Sequence, residues 1–176
     1  MGKTVGIVVM GVSGCGKSSL GTALAAAEGW PFLEGDGLHP PANIARMRAS
    51  QPLTDADRAP WLAAVAAAMA GHLREGRSVV AACSALRRSY RDTLRREAGP
   101  LRFIYLPVPH EDLARRMRQR EHFMPPALLG SQLATLEEPG ADEDALVLPP
   151  AAPDLMLAQA RAWLHPGMSD RPRMPR

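Results

Sequence analysis

Residues Gly11 to Ser18 read GVSGCGKS, with the apolar run GIVVM before them and SLGTALAAAEG after them. A GxxxxGK(S/T) loop between a buried strand and a helix is a phosphate cradle, and it constrains the chain to a strand–loop–helix start. Gly11, Gly14 and Gly16 free the backbone to turn its N–H groups inward as a concave set of donors. The helix opening at Lys17 adds the positive end of its dipole. Gly11, Val12, Ser13, Gly14, Cys15, Gly16, Lys17, Ser18 and Ser19 are therefore the candidate nucleotide-binding residues. Lys17 is placed to reach β- and γ-phosphates, and the Ser18 hydroxyl offers one ligand to Mg²⁺. The implied ligand is a nucleoside triphosphate.

Beyond the loop, short apolar runs alternate with helical patterns. Strands are expected at about 5–10, around Phe32, at 78–84, 101–107 and 145–148. Helices are expected at 17–28, 40–50, from a Thr54 or Asp55 cap through Leu73, at 87–98 before Gly99, at 109–120, 126–136 and 153–164. Trp61, Leu62, Val65, Met69 and Leu73 recur at helical spacing and read as core. Such alternation predicts an α/β fold, a three-layer parallel sheet with right-handed crossovers. The expected organisation is one domain over residues 1–165, with a small lid around 115–130 and a disordered basic tail over 166–176.

Composition narrows the function classes. The chain of 176 residues is 46% hydrophobic, enough for one domain with a real core. Its formal net charge of +3 sits largely in the tail, where Arg171, Arg173 and Arg176 outnumber Asp170. With three Trp, two Tyr and three Phe there is no aromatic-interleaved basic stripe, so no nucleic-acid partner is expected. No apolar run approaches membrane-spanning length, and no cleaved leader is expected, because the first apolar stretch runs straight into the loop. Cys15 and Cys83 are too few for a disulfide framework and fit a reducing, cytoplasmic setting.

In parallel α/β sheets ligands lie beyond the carboxyl ends of the strands, so the residues after each strand carry the chemistry. After the second strand come Glu34 and Asp36. A carboxylate there accepts a proton from an acceptor hydroxyl or holds Mg²⁺ through water, although Asp36 beside Gly37 also suits a plain turn. After the third strand, Ser84 is a candidate cap for a helix whose first turns carry Arg87, Arg88 and Arg91. Cations at that end oppose the dipole, so some of these arginines either serve an anionic ligand or lie on an exposed face. After the fourth strand, Arg115, Arg116, Arg118 and Arg120 lead to His122, either as a lid over the triphosphate or as a solvated face balanced by Glu111, Asp112 and Glu121. No strand ends in the apolar run plus Asp of a switch GTPase or motor ATPase. The arrangement resembles the P-loop NTPases of the nucleoside-monophosphate-kinase and shikimate-kinase-like type.

Five segments sharpen that likeness: MGVSGCGKSS, GDGLHPPANIARM, PLTDADRAPWL, CSALRRSYRD and HFMPPALLGSQLATLEEP. In this order they resemble the small phosphate-loop gluconate kinases, the thermoresistant gluconokinase family, over about residues 5–140. The resemblance implies ATP-dependent phosphorylation of D-gluconate on its terminal hydroxyl, with Mg²⁺, in a homodimer. It implies Lys17, Asp36 and Arg120 as catalytic residues, Asp36 as proton acceptor, and His39, Asn43, Arg58, Arg87, Tyr90, Arg91 and His122 as substrate or lid residues. Departures are Arg46, Arg87 and Arg88 where lysine is commoner, Ser50 for glycine, and a spacing from Arg120 to His122 that is one residue short. The alternatives are another small-metabolite kinase, acting on shikimate or adenylyl sulfate, and a nucleotide-dependent regulatory protein.

Overall fold

The computed structural model describes residues 4–118 and 125–167. Five strands, β1 (Gly6–Met10), β2 (Phe32–Glu34), β3 (Val79–Ala82), β4 (Leu101–Tyr105) and β5 (Ala145–Val147), form one sheet in the order β2-β3-β1-β4-β5. All four pairings are parallel. β1 lies at the centre with every residue buried, as an unbroken apolar run centred on the β-branched Ile7, Val8 and Val9 requires.

The pleat of β1 sends its side chains to two cores. Ile7 and Val9 pack with Leu20, Leu24 and Ala25 of α1 (Lys17–Glu28) and with Ala160. Val8 and Met10 face Trp61, Leu62, Val65 and Met69, together with Leu94 and Phe103. The first core also receives α7 (Pro153–Leu164), and the second lies under α3 (Asp55–Arg74) and α4 (Arg88–Ala98). This is the three-layer α/β architecture expected from the sequence. The remaining helices are α2 (Pro41–Arg48), α5 (His110–Arg118) and α6 (Leu129–Thr135).

Local chemistry explains the boundaries. α1 stops at Gly29, whose φ of 69° closes the helix in the left-handed region. α3 starts on a capping box: Asp57 N donates to Thr54 Oγ1 at 3.2 Å, and Thr54 N to the Asp57 carboxylate at 2.8 Å. Two expectations need correction. Ser84 does not cap α4. The helix begins after Arg87, which makes no side-chain cap, and the carboxylate of Glu137 accepts from Arg88 N at 2.7 Å instead. That anion at the helix start offsets the arginines around it. The segment after Pro125 opens as a 3-10 turn, Pro126–Leu128, before α6. Adjacent prolines at 125 and 126 remove two amide donors there.

Candidate active site

The phosphate loop joins β1 to α1. Gly11, Gly14 and Gly16 have φ of 143°, 82° and 103°, all in the region that disfavours a side chain. At Gly11 a Cβ would also meet Cys15 Sγ at 2.7 Å and the Leu106 carbonyl oxygen at 3.2 Å. Gly16 caps α1 with no side-chain bond, so the first amides of the helix face the loop's hollow. Lys17 is buried and donates its ammonium to the Val12 carbonyl at 3.0 Å. Ser18 donates its hydroxyl to Glu34 Oε2 at 2.5 Å, and Ser19 is exposed beside it.

Glu34, at the end of β2, is thus the carboxylate that meets the Ser18 hydroxyl. Asp36 sits two residues on, in the 3-10 turn Gly35–Leu38, and lines a cleft together with Ser13, Lys17, His39 and Arg58. The cleft encloses about 530 Å³ including its open mouth. Close packing fixes its floor. A Cβ on Gly35 would be driven into the Ala82 carbonyl oxygen, and the Trp61 indole donates to the Gly35 carbonyl at 2.8 Å.

His39 is buried and stacked on Trp61, with ring centroids 4.2 Å apart. Burial pushes its pKa down to about 4; Asp36 opposes the shift and Arg58 adds to it. Asn43 Nδ2 donates to the Asp57 carbonyl at 2.8 Å and lies 3.3 Å from His39 Nδ1. A donor at that position makes Nδ1 the acceptor and leaves the ring proton on Nε2. His39 is therefore a neutral donor on the cleft wall.

Arg58 is largely buried and donates to the Tyr90 hydroxyl at 3.2 Å, 5.7 Å from the ring centroid. Tyr90 in turn donates to Asp55, and burial followed by that bond raises its pKa. Arg87 reaches the same Asp55 carboxylate at 3.3 Å. Its buried Nε has no partner among the described residues. Arg58, Tyr90 and Arg87 are thus brought together around Asp55, which the sequence offered only as a helix cap.

Arg91 goes elsewhere. It is fully buried, bonds Glu143 through Nε at 2.7 Å and Nη2 at 2.8 Å, and gives Nη1 to the Ala85 and Glu137 carbonyls, each at 3.0 Å. A guanidinium so engaged clamps α4 to the 137–143 segment, so the substrate-binding assignment of Arg91 is withdrawn. Arg120 and His122 lie outside the described residues.

Besides the bonds that gather at Asp55, two features escaped the sequence. Gln132 of α6 accepts from Ser13 N at 2.7 Å. Behind the loop, a shallow hollow of about 230 Å³ including its open mouth is lined by Cys15, Leu106, Val108, Arg116, Leu148 and Pro150. Among the described residues no group of three His, Cys, Asp or Glu is arranged to hold a metal, and no helix is long and apolar enough to cross a membrane.

A phosphate loop on a 2-3-1-4-5 parallel sheet, opening onto a polar cleft that also holds a carboxylate, defines the class: a phosphate-loop kinase. A family described as an AAA domain matches residues 7–139. The gluconokinase of Gluconobacter oxydans is 50% identical over 155 residues, covering 87% of each chain. Two solved structures superpose closely: a sugar kinase from Janibacter, with a TM-score of 0.87, 45% identity and coverage of 92% of this chain and 94% of that one, and a gluconokinase from Sinorhizobium meliloti, with a TM-score of 0.82, 47% identity and 93% coverage of both. The chain belongs to the gluconokinase family.

Proposed function

We propose that this protein transfers the γ-phosphate of ATP to the terminal hydroxyl of D-gluconate, giving 6-phospho-D-gluconate. The observation that carries it is a single cleft lined by the loop lysine, Lys17, by Asp36 and by Arg58. Triphosphate oxygens take the amides of Gly14, Gly16, Lys17 and Ser18, the Cys15 amide being given to the Val12 carbonyl, and the Lys17 ammonium leaves that carbonyl for the β- and γ-phosphates. The apolar hollow behind Cys15 suits the base, with the Arg116 guanidinium as a planar wall.

Facing the loop, Asp36 accepts the proton of the acceptor hydroxyl as its oxygen bonds the γ-phosphorus and the bond to ADP breaks. His39 donates its Nε2–H to a neighbouring oxygen of the acceptor. Arg58 and Arg87, with the Tyr90 hydroxyl, meet the acceptor's carboxylate, for which a planar donor fork is the matching partner. Mg²⁺ fits the donor set: the Ser18 hydroxyl and Glu34 carboxylate are hard oxygen ligands already 2.5 Å apart. Ser18 would hold it together with the phosphates, and Glu34 directly or through water. When bound it neutralises phosphate charge.

Release of ADP, measured against gluconate, other sugar acids, polyols, shikimate and adenylyl sulfate, tests the assignment. Gluconate should give turnover far above the ATP-only background. Turnover on another acceptor and none on gluconate refutes it. The family likeness also supports a homodimer in the cytoplasm, a lid around 115–130 carrying Arg120 and His122, and a dispensable tail. Light scattering of the full chain, and activity after deletion of 166–176, address the dimer and the tail.

A further inference from the structure

The segment that follows α5 and the 3-10 turn touches three parts of the site at once. Gln132, 9% exposed, accepts from Ser13 N in the phosphate loop at 2.7 Å. Glu137 accepts from Arg88 N at 2.7 Å and donates its own amide to the Leu86 carbonyl at 2.7 Å, at the start of α4. Glu138 accepts from the Tyr105 hydroxyl at the end of β4, at 3.1 Å. Ser13, Gln132 and Ser131 line the same cleft as Asp36.

A loop N–H given to a side-chain oxygen is withheld from the phosphates. Ser13 is the residue just before the Gly14–Ser18 arc, so its amide sits on the loop's outer arm, toward the acceptor side. Both partners are buried, and breaking the bond would strand a donor and an acceptor, which keeps it made. We propose that Gln132 is a positioning residue: it pins the outer arm of the phosphate loop to the acceptor wall and so sets the distance between γ-phosphate and acceptor hydroxyl. Nucleotide affinity is left to the remaining loop amides and Lys17. The identity of the acceptor rests on the function proposed above; the pinning of the loop does not.

Two variants of the full chain test it. Gln132→Leu removes the acceptor at similar volume. It should lower kcat about 10- to 100-fold, because a displaced reactant loses its alignment, while ATP KM stays within about 3-fold and hydrogen exchange at the Ser13 amide loses protection. Gln132→Glu keeps an oxygen for the Ser13 amide and adds a charge near the phosphates. It should retain protection at Ser13 and a kcat well above the leucine variant, with ATP KM raised. This crossed pattern, kcat in one variant and KM in the other, is not produced by loss of folding. Leucine raising ATP KM at unchanged kcat would overturn the proposal, as would equal kcat losses in both variants once normalised to nucleotide-binding sites. If wild type ignores gluconate, the gluconate assignment fails separately, and the same ratios are read with the acceptor it does use.

Discussion

Glu143→Gln is the sharpest test of how the acceptor rim is held. Glu143 has 2% side-chain exposure and its partner Arg91 none. The two bonds from Arg91 hold the Glu143 carboxyl at about 2, well below its ordinary 4.5. At about 1.36 kcal/mol per pH unit, that gap corresponds to about 3 kcal/mol of stability at pH 7. An independent figure agrees, since breaking one side of a buried pair costs about 3–5 kcal/mol. Glutamine keeps one acceptor but turns an NH₂ toward the guanidinium, so it should lose most of this. For a chain of 176 residues the melting temperature should fall by roughly 6–12 °C. The sign with pH is fixed. A depressed carboxyl stabilises above 4.5 and loses that contribution as pH falls toward 2, so the wild-type and variant curves should converge on acidification. Circular dichroism melts at pH 7 and near pH 2.5 read both effects. Three results would refute the clamp: a shift under about 2 °C at pH 7, an equal gap at both pH values, or a raised gluconate KM with no change in melting.

The remaining expectations concern the cleft. Lys17→Ala should lower kcat by about 10²-fold or more by removing the cation on the β- and γ-phosphates; near-normal turnover in steady-state kinetics would contradict the loop assignment. Asp36→Asn should act on kcat, and a change confined to gluconate KM would reduce Asp36 to a binding residue. NMR titration should find the folded His39 ring neutral down to about pH 4, and because the unfolded ring takes its proton near 6.5, stability should fall as pH drops from about 6.5 to about 4. A midpoint near 6.5 would mean that the ring is not buried against Trp61.

How far the sequence led is clearest from single residues. The β1–loop–α1 unit was legible because strand, glycines and helix signals are contiguous. The Thr54 cap and the whole of α7 were legible for the same local reason. Ser84 misled because a locally sensible cap lost to the Glu137 carboxylate, which lies 49 positions beyond Arg88, whose amide it takes. Arg91 misled because a buried structural fork and a substrate-binding fork call for the same residue, and its partner Glu143 lies 52 positions off. Gln132 was invisible: its bond to Ser13 spans 119 positions, and nothing in a local pattern marks a helix glutamine as belonging to a loop that distant. Asp36 and Glu34 fell where parallel-sheet topology said to look, His39 entered only through the family resemblance, and the pairing of Glu34 with the Ser18 hydroxyl emerged from the fold.

The crowding at Gly35 also bears on how the enzyme could be redesigned. The backbone there abuts the Ala82 carbonyl and is tied to Trp61, on which His39 rests. Any side chain at 35 would shift Asp36, His39 and Trp61 together. Libraries aimed at new acceptors should therefore leave 35, 61 and 82 untouched and vary Met47, Pro52 and Leu53, which form another wall of the same cleft. Met47 and Leu53 also belong to the buried core, so apolar replacements of similar volume are the ones that should reshape that wall while the fold holds.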